Sequence, residues 1–357
     1  MLKARPAVHS FEHYQPPLAG RRGLRLDFNE NVFGCSPRVL ERLRSLDRED
    51  VAGYPERAPV EAQVASFLSL RPDQLLLTNG VDEGIHLLCQ SYLEPQDEVL
   101  IVVPTYSLYA IYAAAAGARV VPVLAPEFRF PMPAVLANIS ERTRLIAIAN
   151  PNNPTGTLAG PSDLLTIARS APQSALLVDE AYYEFCGQTL LAEISGHANL
   201  FVTRTFSKAY GLAGLRCGVL AGPAEQMHLI RRVASPYNVN QVALVCLPEA
   251  LADRAYLRWY VDEVKQSRLL LERELEALRI RYCPSQANFV LASFGQSKDA
   301  FVAAMRGRGI LVRDRASDPL CQGWVRITLG SLQQTHRLLE ALREVVQEIT
   351  VPRELPA

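Results

Sequence analysis

The stretch Thr205-Phe206-Ser207-Lys208-Ala209-Tyr210-Gly211-Leu212-Ala213-Gly214-Leu215-Arg216-Cys217-Gly218 carries most of what this chain reveals. It follows an apolar run, Leu200 to Thr203, that reads as a buried strand. A hydroxyl precedes Lys208, and glycines and an arginine follow it. Small residues let backbone approach a bulky ligand. The planar fork of Arg216 suits a phosphate. An amine beside a phosphate grip points to a covalent pyridoxal phosphate (PLP) site, with Lys208 as the attachment point. The other reading of the same loop is a solvated surface lysine.

Composition narrows the setting. The chain has 357 residues, 49% hydrophobic and 21% charged, which is ordinary globular usage and long enough for two domains. Lys+Arg and Asp+Glu balance at 37 each, so no broad basic footprint for nucleic acid is expected. Seven cysteines, an odd number without a C-x-x-C pair, read as buried, reduced thiols of a cytoplasmic protein. For Cys217 the alternatives are a reactive thiol and core packing. The segment Ala7 to Gln15 lacks the apolar core of a signal peptide. The most apolar stretch, Val99 to Val123, is broken by Pro104 and Pro122 and reads as strand, helix, strand rather than a membrane span. His9 and His13 have helical metal-ligand spacing but no third ligand nearby, so no metal site is expected.

Short apolar runs alternate with helical patterns through the middle of the chain. Leu75–Thr78, Val99–Val103, Arg119–Leu124, Leu145–Ala149, Ala175–Val178, Leu200–Thr203 and Gly218–Ala221 read as strands; 82–92 and 106–116 read as helices. This is the pattern of an α/β fold with a mostly parallel sheet covered on both faces. The last third, with helical patterns at 255–278, 298–308 and 333–349 between strands at 287–292, 310–313 and 324–329, reads as a smaller α+β domain. The expected division is an N-terminal arm with part of the small domain (1–45), a large domain (46–245) and a small C-terminal domain (246–357). The first 45 residues look like an arm more than a core element.

Several strand ends carry chemistry. Asn150-Pro151-Asn152-Asn153-Pro154-Thr155-Gly156 reads either as a turn or as a loop that offers the Asn153 amide at the carboxyl end of a parallel strand. Asp179 is either a helix cap or the buried anion that keeps a pyridinium nitrogen protonated, with Tyr182 as a donor to the cofactor's phenolic oxygen. Thr78-Asn79-Gly80-Val81-Asp82-Glu83 is an ordinary helix start or a phosphate cradle. Tyr106 is a core or rim tyrosine, or a ring that stacks on a flat cofactor.

Taken together and in this order, the elements closely resemble the fold-type I PLP-dependent aminotransferases of class I/II. The matching pieces are the Asn-Pro-Thr-Gly loop, the Asp-x-Ala-Tyr strand end and the Ser-Lys-x(7)-Arg segment, spanning about Thr78 to Gly218. A narrower resemblance over nearly the whole chain is to histidinol-phosphate aminotransferases. It rests on Asn29-Glu30-Asn31, Tyr54-Pro55, the Gly80-to-Ile85 stretch, the lysine motif, Gly309 to Arg313, and Val325 to Gly330.

The resemblance implies a large PLP-binding domain, a smaller α+β domain and a specific set of roles. Lys208 holds the cofactor and then moves a proton between substrate and cofactor. Asp179 pairs with the pyridinium, Asn153 and Tyr182 with the phenolic oxygen, and Tyr106 stacks on the ring. The Val81 and Asp82 amides behind Gly80, with Ser207 and Arg216, bind the phosphate. Tyr54 reaches the cofactor of a neighbouring subunit, which implies a homodimer. Arg326 and Arg313, with Tyr14 and Asn31, face the substrate. Taken alone, Arg313 reads as a solvated strand end and Arg326 as an interstrand ion pair. Two departures concern the substrate side: Gly330 to Thr335 lacks the family's Gly-Thr-x-Glu-Glu-Asn pattern, and Val32, Phe33 and Cys35 stand near the N-terminal motif. The expected function is amino transfer between histidinol phosphate and 2-oxoglutarate. Transfer on aromatic or other amino acids, decarboxylation of a phosphorylated amino acid, and a non-catalytic PLP-fold module are the other readings.

Overall fold

The computed structural model describes residues 2–9, 11 and 15–349. Among the described residues twelve strands form two sheets. In chain order they are β1 (Leu24–Leu26), β2 (Leu75–Thr78), β3 (Glu98–Val103), β4 (Arg119–Leu124), β5 (Thr143–Ala149), β6 (Ala175–Asp179), β7 (Leu200–Thr205), β8 (Gly218–Ala221), β9 (Tyr282–Cys283), β10 (Phe289–Ser293), β11 (Ile310–Asp314) and β12 (Trp324–Thr328).

The larger sheet runs β2-β8-β7-β6-β5-β3-β4. Its strands are parallel except β8, which is antiparallel to both neighbours. Alternation along each strand divides the core. Leu75 and Leu77, Ile146 and Ile148, and Leu176 and Val178 join one apolar cluster. Leu76, Leu145, Ala147 and Leu177 join a second on the opposite face. A sheet apolar on both faces must be covered by helices on both, which the βαβ crossovers supply.

The smaller sheet runs β1-β11-β12-β10-β9, antiparallel but for the β1–β11 pair. The helices Arg254–Ala277 and Lys298–Gly307 pack on it, and Leu332–Glu348 packs on those two helices. The last begins with a capping box between Ser331 and Gln334. That pair does the capping at the point where the sequence departs from the family pattern.

The arm reading is corrected from residue 24 onward. β1 pairs in parallel with Ile310 to Val312, and Leu26 is buried. Val39, on the helix Pro37–Arg44, is fully buried, and that helix packs on the helix Gln241–Ala252. The helix expected from 106 begins at Leu108, leaving Tyr106 in the preceding loop. The cysteines are all free; five are buried, but Cys35 and Cys186 are only half-buried. Cys217 is a core residue whose thiol is pushed up to about 12 by burial, so it holds its proton. Among the described residues no helix is long and apolar enough to cross a membrane.

Candidate active site

Parallel strands deliver their carboxyl ends to one edge of the sheet, where open α/β sheets bind ligands. β2, β3, β5, β6 and β7 all end there, so Gly80, Tyr106, Asn153, Asp179 and Lys208 meet although they are spread over more than a hundred residues of sequence. Arg216 arrives by a different route. β8 is antiparallel, and Gly218 pairs with both Thr78 and Thr205. The start of β8 therefore lies beside the ends of β2 and β7, and Arg216, two residues earlier, falls at the same edge. Contact is close here: a Cβ on Gly218 would stand 2.7 Å from the Gly80 carbonyl carbon, and one on Gly80 2.5 Å from Arg216 Nη2. Gly80 also needs its φ of 76° to start the helix Val81–Tyr92.

One cleft is lined by Val81, Asp82, Tyr106, Asn153, Asp179 and Tyr182 together with Ser207, Lys208 and Arg216. Lys208 Nζ donates to the Phe28 carbonyl at 3.1 Å. Its pKa is pushed down to about 8, first by burial and then by the nearby Arg326 charge. The Asp179 carboxylate accepts from the Tyr109 hydroxyl at 2.5 Å, the Thr203 hydroxyl at 3.0 Å and the Ala181 amide at 3.1 Å. Burial raises it to about 6 in spite of those donors. A carboxylate so enclosed calls for a cationic partner.

Asn153 Oδ1 accepts from Arg326 Nη1 at 2.7 Å, which orients the amide. The Tyr182 hydroxyl is buried and accepts from Asn29 Nδ2 at 2.9 Å. Tyr106 lines the cleft edge-on to Tyr109, and its hydroxyl donates to Asp82 Oδ1 at 2.8 Å. Arg216 Nη2 donates to Asp82 Oδ2 at 3.0 Å. The Asp82 side chain thus holds the guanidinium beside the helix start.

These groups fit pyridoxal phosphate. The Ser207 Oγ is buried without a hydrogen-bond partner among the described residues, next to Arg216 and the open amides of a helix start. A primary amine and an enclosed carboxylate complete the donor set on the ring side.

Not every expected residue lines this cleft. Tyr54 is 82% exposed and stacks on Tyr237, with ring centroids 4.6 Å apart. Asn31 is buried away from the cleft: its amide donates to the Ala209 carbonyl at 3.1 Å, which braces the lysine loop. Arg326 is buried in β12 and also donates to the Asp27 carbonyl at 2.7 Å, so the interstrand ion pair is not what the structure has there. Arg313, opposite it on β11, lies over the Phe28 ring at 5.0 Å. Phe33 packs edge-on against Trp259 at 4.6 Å. Tyr14 and His13 lie outside the described residues.

Sequence reasoning passed over Tyr109 and Thr203, and it quoted Asn29 in a motif without giving it a role in the site. Thr203 stands directly across from Asp179 in the β6–β7 register, and a hydroxyl at the end of the apolar run Leu200 to Val202 was its signal. Tyr109 lies in the first turn of the helix Leu108–Ala116, just after the loop that carries Tyr106.

The comparisons agree with this geometry. A profile of the family described as Aminotransferase class I and II matches residues 21–342. The histidinol-phosphate aminotransferase of Geobacillus sp. (strain WCH70) is 35% identical over 333 residues, 91% of this chain and 90% of that protein. The one from Moorella thermoacetica (strain ATCC 39073 / JCM 9320) is 32% identical over 362 residues, 96% of this chain and 93% of that protein. In fold, the chain matches the crystal structure of histidinol-phosphate aminotransferase from Sinorhizobium meliloti in complex with pyridoxal-5'-phosphate, with a TM-score of 0.88 at 23% identity over 98% of both chains. With its lysine, its enclosed carboxylate and its phosphate cradle at one sheet edge, the chain belongs to the class I and II aminotransferases.

Proposed function

We propose that this chain is a PLP-dependent aminotransferase that moves an amino group between histidinol phosphate and 2-oxoglutarate, as part of histidine biosynthesis in the cytoplasm. The observation that carries the chemistry is the meeting of Lys208, Asp179 and the unpartnered Ser207 hydroxyl in one cleft. The names of the relatives support the substrate. Bound pyridoxal phosphate supplies an electron sink for the bonds at the substrate's α-carbon.

The chain's own residues do the rest. Ser207, Arg216 and the amides of Val81 and Asp82 hold the phosphate. Asp179 keeps a proton on the ring nitrogen by presenting a buried negative charge to it. Asn153 and Tyr182 donate to the phenolic oxygen, and Tyr106 packs on the ring. Lys208 would be the residue that holds the group covalently; its Nζ, when free, would take the proton from the substrate Cα and return one on the other side of the nitrogen. Arg326, with Arg313, binds the acidic end of either substrate. The same reading assigns 1–45 to an arm and part of a small domain, 46–245 to a large domain and 246–357 to the small domain; membership of β1 in the smaller sheet supports it.

Capture of the cofactor needs Nζ without its proton. Since Lys208 loses that proton near pH 8, cofactor loading of the stripped protein is expected to speed up as pH rises through about 8 and then level off. Stopped-flow absorbance across pH 6 to roughly 10 checks this. A rate that is flat through about 8 contradicts it.

Tyr54 and Tyr237 stack on one another while 82% and 56% exposed. This supports a homodimer in which Tyr54 donates to the partner's cofactor phosphate. Tyr54→Phe is then expected to weaken cofactor retention by about 10-fold while the protein still sediments as a dimer. Unchanged retention removes Tyr54 from the site.

The direct test of the reaction is a coupled screen of the PLP-loaded protein with histidinol phosphate, aromatic amino acids and threonine phosphate. Glutamate formed from 2-oxoglutarate with histidinol phosphate as the best donor supports the reading. Release of CO₂ from threonine phosphate, or preference for an aromatic amino acid, replaces it.

A further inference from the structure

The smaller sheet sets a third arginine close to Arg326 and Arg313, behind the residues that line the cleft. Arg313 and Arg326 are directly opposite one another on β11 and β12, so their side chains share a face. The Arg315 amide donates to the Trp324 carbonyl at 3.1 Å, which carries the ladder one residue past the end of β11. Two residues beyond Arg313, Arg315 projects to that same face, on the diagonal from Arg326. It is the active-site face, because Arg326 reaches from it to Asn153. Arg315 is not a solvated charge either: only 13% of its side chain is exposed.

The charges at this wall do not cancel. Asp27 and Glu30 are taken up by Arg21, with Arg25 also at Glu30, and Asp314 is held by Lys298. That leaves Asp318, which pairs with Arg315, as the one carboxylate facing Arg313, Arg315 and Arg326 among the described residues. The Nε atoms of Arg315 and Arg326 are buried and have no hydrogen-bond partner among the described residues. The crowding also shows in Arg326, whose pKa is pushed down to about 9, first by burial and next by the charge of Arg315. Buried guanidinium charge of this kind is costly unless a ligand completes it.

We propose that Arg315 is a specificity-determining residue which, with Arg313 and Arg326, receives the dianionic phosphomonoester end of the amino substrate, giving up Asp318 to do so. Three guanidiniums against one carboxylate leave two positive charges, which match a phosphate dianion and exceed what a carboxylate needs. The forked N–H groups of guanidiniums suit the three oxygens of a phosphate. A γ-carboxylate, with one charge and two oxygens, is satisfied by Arg326 and Arg313. One site thus accepts both substrates of an amino exchange, and Arg315 adds binding for the phosphorylated one only. This inference rests on the phosphorylated substrate proposed above.

The test is steady-state kinetics of the PLP-loaded Arg315→Met, Arg315→Lys and Asp318→Asn variants, with inorganic phosphate as a competitor of glutamate. Arg315→Met is expected to raise KM for histidinol phosphate about tenfold relative to KM for glutamate, with kcat affected far less. The inhibition constant for phosphate should rise by a similar factor. Arg315→Lys should recover part of the loss, and Asp318→Asn, which frees Arg315, should tighten phosphate binding. Equal KM shifts for the two substrates, or an unchanged phosphate constant in both Arg315→Met and Asp318→Asn, overturn the assignment. If the wild type does not turn over histidinol phosphate, the substrate reading fails, and the phosphate competition still decides on Arg315. If it does turn it over and Arg315→Met leaves both ratios unchanged, the substrate reading stands and Arg315 has no part in it.

Discussion

Replacing Lys208 by alanine is expected to lower turnover by about 10³-fold or more, because two roles end together: covalent anchoring and proton transfer at the substrate Cα. The structure argues for the second role as strongly as for the first. Burial and the Arg326 charge bring the amine to about 8 from its usual 10.5. That raises the fraction of neutral amine at pH 7 by about 300-fold, which a base working near neutrality requires. Arg326 is placed to do this by its hydrogen bonds to Asn153 and to the Asp27 carbonyl. Lys208→Arg separates charge from basicity. It keeps a cation at the site but cannot release its proton near pH 7, so it should be as inactive as the alanine variant. A small primary amine in solution should restore part of the activity to Lys208→Ala, since the truncation leaves room beside the Phe28 carbonyl that Nζ had bonded. Peptide mapping after borohydride reduction should find the cofactor on Lys208 in the wild type and on no residue of the alanine variant. Activity of Lys208→Arg above that of the alanine variant would mean that the positive charge, and not proton transfer, is what the site uses.

The cofactor end of this site was legible because each piece is local to a strand and the turn after it. Leu75–Thr78, Arg119–Leu124 and Gly218–Ala221 have the same bounds in sequence and structure; the first and last are apolar runs ended by Asn79 and Gly222, which leave little choice. Lys208, Asp179, Asn153 and Tyr106 then follow from where parallel strands end. What was not legible depends on pairing between distant segments. β1 is three residues long and bears an arginine at its centre, so nothing in its pattern marks a strand; its partner, Ile310 to Val312, decides it. The helices Ala58–Phe67, Pro161–Ser170 and Gln241–Ala252 went unread, each with a proline that reads as punctuation. In the first two it sits in the opening turn, where it costs no hydrogen bond; in the third it is internal, as Pro248. The Asp179 environment is a tertiary fact as well. Thr203 comes from the next strand and Tyr109 from a helix seventy residues earlier in the chain. Arg315 shows the same limit, since its face is set by the register of β11 on β12.

Asp179→Asn is expected to reduce turnover by about 10²–10³-fold and at the same time to stabilise the cofactor-free protein at neutral pH. Both effects come from one carboxylate. Burial lifts it from 3.8 to about 6, so between those values the folded chain binds a proton that the unfolded chain has released. The folded state is therefore favoured by Asp179 below about 4, and that contribution is lost as pH rises through about 6. At pH 7 the stripped wild type carries a buried negative charge with three hydrogen bonds but, among the described residues, no cationic partner. Asparagine removes the charge and keeps an acceptor for Thr203 and the Ala181 amide. The variant without cofactor should accordingly unfold about 1–3 kcal/mol later than the wild type at pH 7, and the gap should close toward pH 4. Adding pyridoxal phosphate should reverse the order. A protonated ring nitrogen gives the wild-type carboxylate its partner, so the wild type gains more stability from the cofactor than the variant does. Thermal unfolding with and without cofactor at several pH values, beside single-turnover rates, reads all of this in one pair of proteins. Wild-type turnover in Asp179→Asn would reduce Asp179 to an acceptor for Tyr109 and Thr203. A variant that is less stable without cofactor at every pH would show that its hydrogen bonds outweigh the cost of burying its charge.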